Sequence, residues 1–332
     1  MKCLVTGVAG FIGSHMAQRL LGEGHWVVGV DCFTRSYDPA LKKANVAELM
    51  QNDRFELVQG DLVQMDLHGI LDGVDLVFHM AAQAGVRSSW GKEFEFYLHH
   101  NVLATQRLLE ACRDKQPSRL VYASSSSVYG DQREYPSSEE ATPRPVSPYG
   151  VTKLAAEHLC VLYWKSYKVP SVSLRYFTVY GPRQRPDMAF HRFLKAIWSN
   201  VPLVIYGDGR QSRDFTYVSD IVDANLRAAE AGRPGKVYNI GGGARASLRE
   251  VLGILEKITG RRPQVSWERR EMGDVLHTMA DLTLASREIG YRPTVGLEEG
   301  LARQWDWMRC WLEKMPQISA LGRVSPLPPG QG

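Results

Sequence analysis

The sequence lacks a cysteine framework. Its five cysteines (Cys3, Cys32, Cys112, Cys160 and Cys310) are odd in number, scattered, and never spaced CxxC. That pattern excludes a disulfide-stapled scaffold and fits free thiols in a reducing compartment. A strong charge of either sign is also missing. Forty Lys and Arg against thirty-six Asp and Glu leave +4, too small a bias to imply nucleic acid, although a locally basic pocket for an anionic small molecule stays open. There is no apolar run long enough to span a bilayer, and no signal-peptide pattern precedes the first strand-like run, so the expected location is the cytoplasm. Internal repeats are absent too.

What is present is ordinary for a globular protein: 332 residues, 44% hydrophobic and 23% charged. That length buries a sizeable core without disulfides or metals, and suggests two domains or one large domain with an appended lobe. Short β-rich runs (KCLVTG, WVVGVD, FELVQGD, VDLVFHMAA, RLVYASS) alternate with helical stretches at about 12–22, 92–115 and 147–168. Such near-continuous apolar strands separated by helices predict a doubly wound parallel sheet covered on both faces. After about Tyr176 the alternation gives way to Arg-, Pro- and Gly-rich loops. The expected division is therefore 1–176, a smaller α/β substrate lobe over 177–311 with some return to the first domain, and a mobile tail at 312–332 ending in VSPLPPGQG.

The segment GVAGFIG sets Gly7, Gly10 and Gly13 between the first strand and the first helix. Glycines there allow a tight turn and let backbone N–H groups at a helix N-terminus approach a pyrophosphate. Asp31 closes the next strand, about 20 residues on, where a carboxylate accepts from adenosine ribose hydroxyls and repels a 2′-phosphate. NAD is favoured over NADP, with Arg35 close enough to keep the phosphorylated form open. Further along, SPYGVTKLAAEHL puts Tyr149 and Lys153 at i and i+4 on one helix face. A phenol near pKa ~10 is a poor base. A neighbouring ammonium and a positive nicotinamide ring favour the phenolate, which can take a proton from a substrate hydroxyl as hydride leaves the same carbon.

The glycine turn, Asp31, HMAAQAGVR at 79–87, the serine run YASSSSVYG at 122–130 and YxxxK together resemble an extended short-chain dehydrogenase/reductase with a Rossmann sheet, and within it the nucleotide-sugar 4-epimerases. The likeness covers about residues 1–311. It implies a tightly bound NAD, regenerated each turnover. Ser125, Tyr149 and Lys153 are the implied catalytic set, with Ser125 sharing the O4 proton. Asp61 and Leu62 match adenine contacts, and Ala81, Ala82 and Gln83 the cofactor path. Phe11, Ile12, Asn101, Ser124 and Tyr176 fall with the cofactor as well, and Lys153 with the nicotinamide ribose. The helices at 92–115 and 147–168 match a dimer-forming pair, so a homodimer is implied.

The residues after Ser125 separate reactions by contrast. Relatives that eliminate water carry Asp-Glu there, and UDP-glucuronate decarboxylases carry Glu just before the valine. This chain has Ser126 and Ser127 before Val128. What remains is hydride removal from C4 and its return, which inverts C4 with no net redox change. Thr178 and the run RPDMA resemble the UDP-glucuronate 4-epimerases, where Arg185 would hold the sugar carboxylate with help from Ser126, Ser127 and Thr178. From spacing alone, Arg185 is equally a solvent-facing loop residue or a diphosphate contact. For the UDP end the resemblance implies Arg87, Phe190 and Arg192 in a uridine-side loop, Arg213 on the diphosphate and Asp274 on the uridine ribose. Glu271 stands where many relatives have arginine. His99 and His100 lack metal-ligand spacing and are assigned to helix packing, His79 to the core; no metal is expected. The alternatives are a UDP-glucose or UDP-N-acetylglucosamine 4-epimerase, a decarboxylase, and a non-catalytic nucleotide-binding protein.

Overall fold

An apolar strand with no polar face is stable only when both faces are covered, and the fold covers them. The structure is a computed structural model that describes residues 1–132, 134–269 and 275–314. In chain order it runs β1 (Lys2–Thr6), α1 (Phe11–Gly22), β2 (Trp26–Asp31), α2 (Pro39–Ala47), β3 (Phe55–Gln59), α3 (Leu67–Ile70), β4 (Leu76–His79), α4 (Phe94–Tyr97), α5 (Ala104–Lys115), β5 (Arg119–Ser125), α6 (Pro148–Tyr167) and β6 (Ser171–Tyr176). It continues with β7 (Thr178–Tyr180), α7 (Ala189–Trp198), β8 (Leu203–Tyr206), β9 (Ser212–Tyr217), α8 (Val218–Ala231) and β10 (Val237–Ile240). The last elements are β11 (Arg245–Ser247), α9 (Leu248–Thr259), β12 (Val265–Glu268), α10 (Thr283–Ile289) and α11 (Leu297–Lys314).

Seven strands form one sheet in the order β3-β2-β1-β4-β5-β6-β10, every pair parallel. The period-2 alternation of side chains sorts the core into two faces. Cys3, Val5, Val27 and Val121 meet α1 and α8 on one side. Leu4, Val28, Val77 and Leu120 meet α5 and α6 on the other. Strand order reverses between β1 and β4, which opens a crevice at the carboxyl ends of the strands. The later part of the chain returns β10 to this sheet beside β6, and builds two small sheets, β11-β9-β7 and β12-β8. Leu312, at the start of the expected tail, is instead a buried residue of α11; residues 315–332 lie outside the described part. Among the described residues no helix is long and apolar enough to cross a membrane.

Candidate active site

The crevice contains a cavity of about 560 Å³. At one end lies the turn between β1 and α1. Gly7 has φ +68°, and a Cβ there would come within 2.8 Å of the Ala81 backbone. A Cβ on Gly13 would lie 2.2 Å from the Gly7 carbonyl oxygen. Only glycine permits this turn, and α1 follows Gly10 as its N-cap with no side-chain cap, so its first N–H groups are free for an anion. Asp31 Oδ2 accepts from the Ala9 N–H at 3.1 Å and Oδ1 from Phe33 N–H at 2.7 Å, which fixes the carboxylate at the cavity wall. The donors and the carboxylate suit the pyrophosphate and ribose of a dinucleotide.

Every residue expected at the cofactor lines this cavity except Asn101: Gly7, Gly10, Phe11, Ile12, Gly13, Asp31, Asp61, Leu62, Ala81, Ala82, Gln83, Ser124, Tyr149, Lys153 and Tyr176. Asn101 acts one layer behind. It sits in a π-helical turn, Leu98–Leu103, where its Oδ1 accepts from Gln83 N–H at 2.7 Å and its Nδ2 donates to the Gln83 carbonyl at 3.0 Å and to Thr152 Oγ1 at 2.9 Å. Buried His79 braces the same loop. Thr105 Oγ1 donates to the Asn101 carbonyl and so accepts from His79 Nε2 at 3.0 Å; His79 Nδ1 then accepts from Thr6 Oγ1 at 2.7 Å, which itself accepts from Ala81 N–H. Burial drives this histidine's pKa down to about 3, so it stays neutral and works as a fixed relay of hydrogen bonds.

His99 does more than pack. Its Nε2 lies 2.8 Å from Asp61 Oδ2, while Asp61 Oδ1 accepts from Val63 N–H, so the expected adenine carboxylate is held from two sides. With His100, whose side chain reaches the cavity, these residues offer potential ligand atoms within 4.8 Å of one another, a grouping that chain spacing did not show. Ser124 lines the wall, but its hydroxyl donates to Glu157 Oε2 at 2.7 Å, and Glu157 forms a buried bidentate pair with Arg175. Tyr176 donates to Asn225 Oδ1 at 2.8 Å.

At the chemical end, α6 begins with Ser147 accepting from Gly150 N–H and Pro148 in the first turn, which sets Tyr149 at the helix mouth. Ser125 ends β5, and its Oγ accepts from Ser127 N–H at 3.1 Å, leaving its O–H to donate outward. Burial pushes the Tyr149 phenol up; the Ser125 hydroxyl beside it, then the Arg185 charge, pull it partly back. Lys153 lies one helical turn further along α6. Its ammonium donates to the Ala123 carbonyl at 2.7 Å over the Tyr122 ring, and burial lowers its pKa to about 7. Ser126, Ser127, Thr178 and Arg185 line the cavity together, with no acidic residue beside Ser125.

Of the residues expected at the UDP end, four lie in the described part, and none of them is among the residues lining the cavity. Arg87 lies over the Tyr206 ring at 4.2 Å, and its neighbours Val86 and Ser88, though not Arg87, line the cavity. Phe190 and Arg192 are helical residues of α7, because AFHRFLKAIW is amphipathic. Phe190 is buried with its ring 4.6 Å from Phe215, so it belongs to the core, and Arg192 faces outward. Arg213, on β9, donates to the Ser212 and Leu276 carbonyls. Arg270, Glu271 and Asp274 lie outside the described residues. Sequence reasoning missed Tyr37, Lys42 and Asp187, which line the cavity. Asp187 was in view within RPDMA, but its role needed a contact; Tyr37 and Lys42 follow β2 with no motif to mark them.

The profile of the NAD dependent epimerase/dehydratase family matches residues 3–241. An uncharacterized UDP-glucose epimerase, YtcB, of Bacillus subtilis (strain 168) is 47% identical, covering 92% of this chain and 96% of the relative. A UDP-glucuronate 4-epimerase of Thermodesulfobacterium geofontis (strain OPF15) is 37% identical over 95% of this chain and 98% of its own. The crystal structure of a UDP-glucuronic acid 4-epimerase from Bacillus cereus, in complex with UDP-glucuronic acid and NAD, superposes with a TM-score of 0.91 at 45% identity, covering 94% of this chain and all of that one.

Proposed function

The chain belongs to the NAD dependent epimerase/dehydratase family, and we propose that it interconverts UDP-glucuronate and UDP-galacturonate by inverting C4. The observation that carries this reading is the meeting of Ser125 and Tyr149 with Ser126, Ser127, Thr178 and Arg185 in one cavity. A hydroxyl pair can move the O4 proton, and a guanidinium among hydroxyls suits a C6 carboxylate. The glycine turn and Asp31 would hold NAD, which would supply reversible hydride exchange with C4. The Tyr149 oxygen takes the O4 proton and gives it back. Ser125 donates to the Tyr149 phenolate, the form that takes the proton, and orients O4. Lys153, held by the Ala123 carbonyl, secures the nicotinamide ribose.

A C4 ketone beside a C6 carboxylate is a β-keto acid. In the side reaction the C5–C6 electron pair moves into the C4 carbonyl to form an enolate, carbon dioxide leaves, and solvent protonates C5. That requires the C5–C6 bond to align with the carbonyl π system. Arg185, Thr178 and the two serines hold the carboxylate out of that alignment, and no acid or base beside Ser125 assists elimination of water.

We also place the enzyme in the cytoplasm, given its free thiols, and pair two copies through α4–α5 and α6. Leu98, Leu103, Val151, Leu162 and Tyr167 leave apolar surface exposed on these segments, as a four-helix interface needs. A second reading, inversion of a neutral UDP-hexose, is favoured by the name of the Bacillus subtilis relative. Proton NMR of the sugar during incubation with UDP-glucuronate or UDP-glucose separates them. UDP-galacturonate formed without net NAD reduction is the expected outcome; UDP-galactose alone moves the assignment to the second reading, and UDP-xylose to a decarboxylase.

A further inference from the structure

We propose that Asp187 is the positioning residue that aims Arg185 at the sugar carboxylate, an assignment that rests on the UDP-glucuronate reading above. Arg185 Nε donates to Asp187 Oδ1 at 3.0 Å and Nη2 donates to Oδ2 at 2.7 Å. This fork–fork pair occupies one edge of the guanidinium. Arginine carries five N–H donors, so the pair leaves the Nη1 hydrogens and the second Nη2 hydrogen, the end edge, for another carboxylate. The two acids do not compete for the same hydrogens.

The pair is built locally. Pro186 lies between the partners with its φ locked, and Met188 N–H closes the turn onto the Arg185 carbonyl at 3.1 Å before α7 begins. Burial would push the Asp187 carboxyl up; the Arg185 guanidinium more than reverses this and holds it below its usual range. The pair is therefore ionised at neutral pH. Both side chains line the cavity that Ser126, Ser127 and Thr178 also line.

A planar fork orients a carboxylate only if the fork itself is fixed. An arginine without Asp187 keeps its charge but swings about its side-chain torsions, so it attracts the carboxylate without dictating its direction. The consequence falls on two measurable quantities: affinity for the acidic sugar, and the share of turnovers lost as carbon dioxide.

The experiment uses Asp187→Ala, Asp187→Asn and Asp187→Glu holoenzymes beside wild type. KM for UDP-glucuronate, carbon dioxide released per epimerisation, and the inhibition constant of UDP are measured for each. For Ala and Asn, KM is expected to rise about tenfold, as for loss of a charge-assisted hydrogen bond, and the decarboxylated fraction to rise several-fold. UDP inhibition stays within twofold, and Glu recovers part of both effects. Unchanged KM and product ratio in Asp187→Ala, with wild type active on UDP-glucuronate, overturn this assignment alone. A lowered KM also overturns it, since it makes Asp187 a competitor of the substrate. A wild type inert toward UDP-glucuronate overturns both this assignment and the reading beneath it.

Discussion

The two ends of the cleft differ in how their residues are assembled. At the cofactor and C4 end, residues separated by as much as 181 positions, from Gly7 to Met188, line one cavity. At the UDP end, the expected residues are dispersed: Arg87 on an aromatic ring, Phe190 in the core, Arg192 outward, Arg213 on backbone carbonyls. The first end is made by strand termini and helix N-termini of a seven-stranded sheet, whose registers leave little freedom. The second draws on a turn, a helix and a short strand that belong to no common sheet, so the side chains' addresses in the chain say little about where they meet.

The largest effect should come from the assembled end. Tyr149→Phe removes the only atom at that position able to hold the O4 proton, and kcat should fall about a thousandfold, within the range for general acid–base groups. NAD content and UDP inhibition should stay unchanged. Steady-state kinetics check this, and a loss under tenfold would shift proton transfer to Ser125.

The same end should also show what its burial costs. Lys153 falls from an ordinary 10.5 to about 7 because burial disfavours the ammonium. Between those values the unfolded chain holds a proton that the folded chain has shed, so stability rises with pH across that window, by up to ~1.4 kcal/mol per unit. Lys153→Met should remove this contribution. Urea unfolding of both proteins at pH 7 and pH 9 tests it: the wild type should gain roughly 2 kcal/mol more than the variant. Equal gains would mean that Lys153 remains charged in the fold.

The smallest effect probes the dispersed end. If Arg213 turns to the diphosphate on binding, Arg213→Ala should raise KM for the UDP-sugar about tenfold, the worth of one charge-assisted bond, without changing the product ratio. Arg192→Ala, an outward residue of α7, should stay within twofold. Equal KM values for the two variants would remove Arg213 from the diphosphate site and erase the contrast between the ends.

Most of the cofactor end was legible because its chemistry is tied to local backbone form. A glycine turn between strand and helix, a carboxylate at the next strand's end, and i, i+4 partners on a helix are short-range patterns. Asn101 was found from resemblance but acts through Gln83, a contact that spacing does not reveal. His99 and Asp61 lie 38 residues apart, and only the apposition of the π-helical turn with the end of β3 joins them. Phe190 was misplaced because an amphipathic helix and an aromatic binding loop share composition; the periodicity of AFHRFLKAIW was the usable signal.

The sequence by itself determined the parallel sheet, the dinucleotide turn, and the absence of an acid beside Ser125. These depend on periodicity, on glycine's conformational range and on residue identity, all properties of short segments. Tertiary structure decided which carboxylate pairs with Arg185 and, among the described residues, which of the expected arginines line the cavity. Those outcomes depend on burial and on the distances between elements far apart in the chain, and electrostatic energy changes steeply with both.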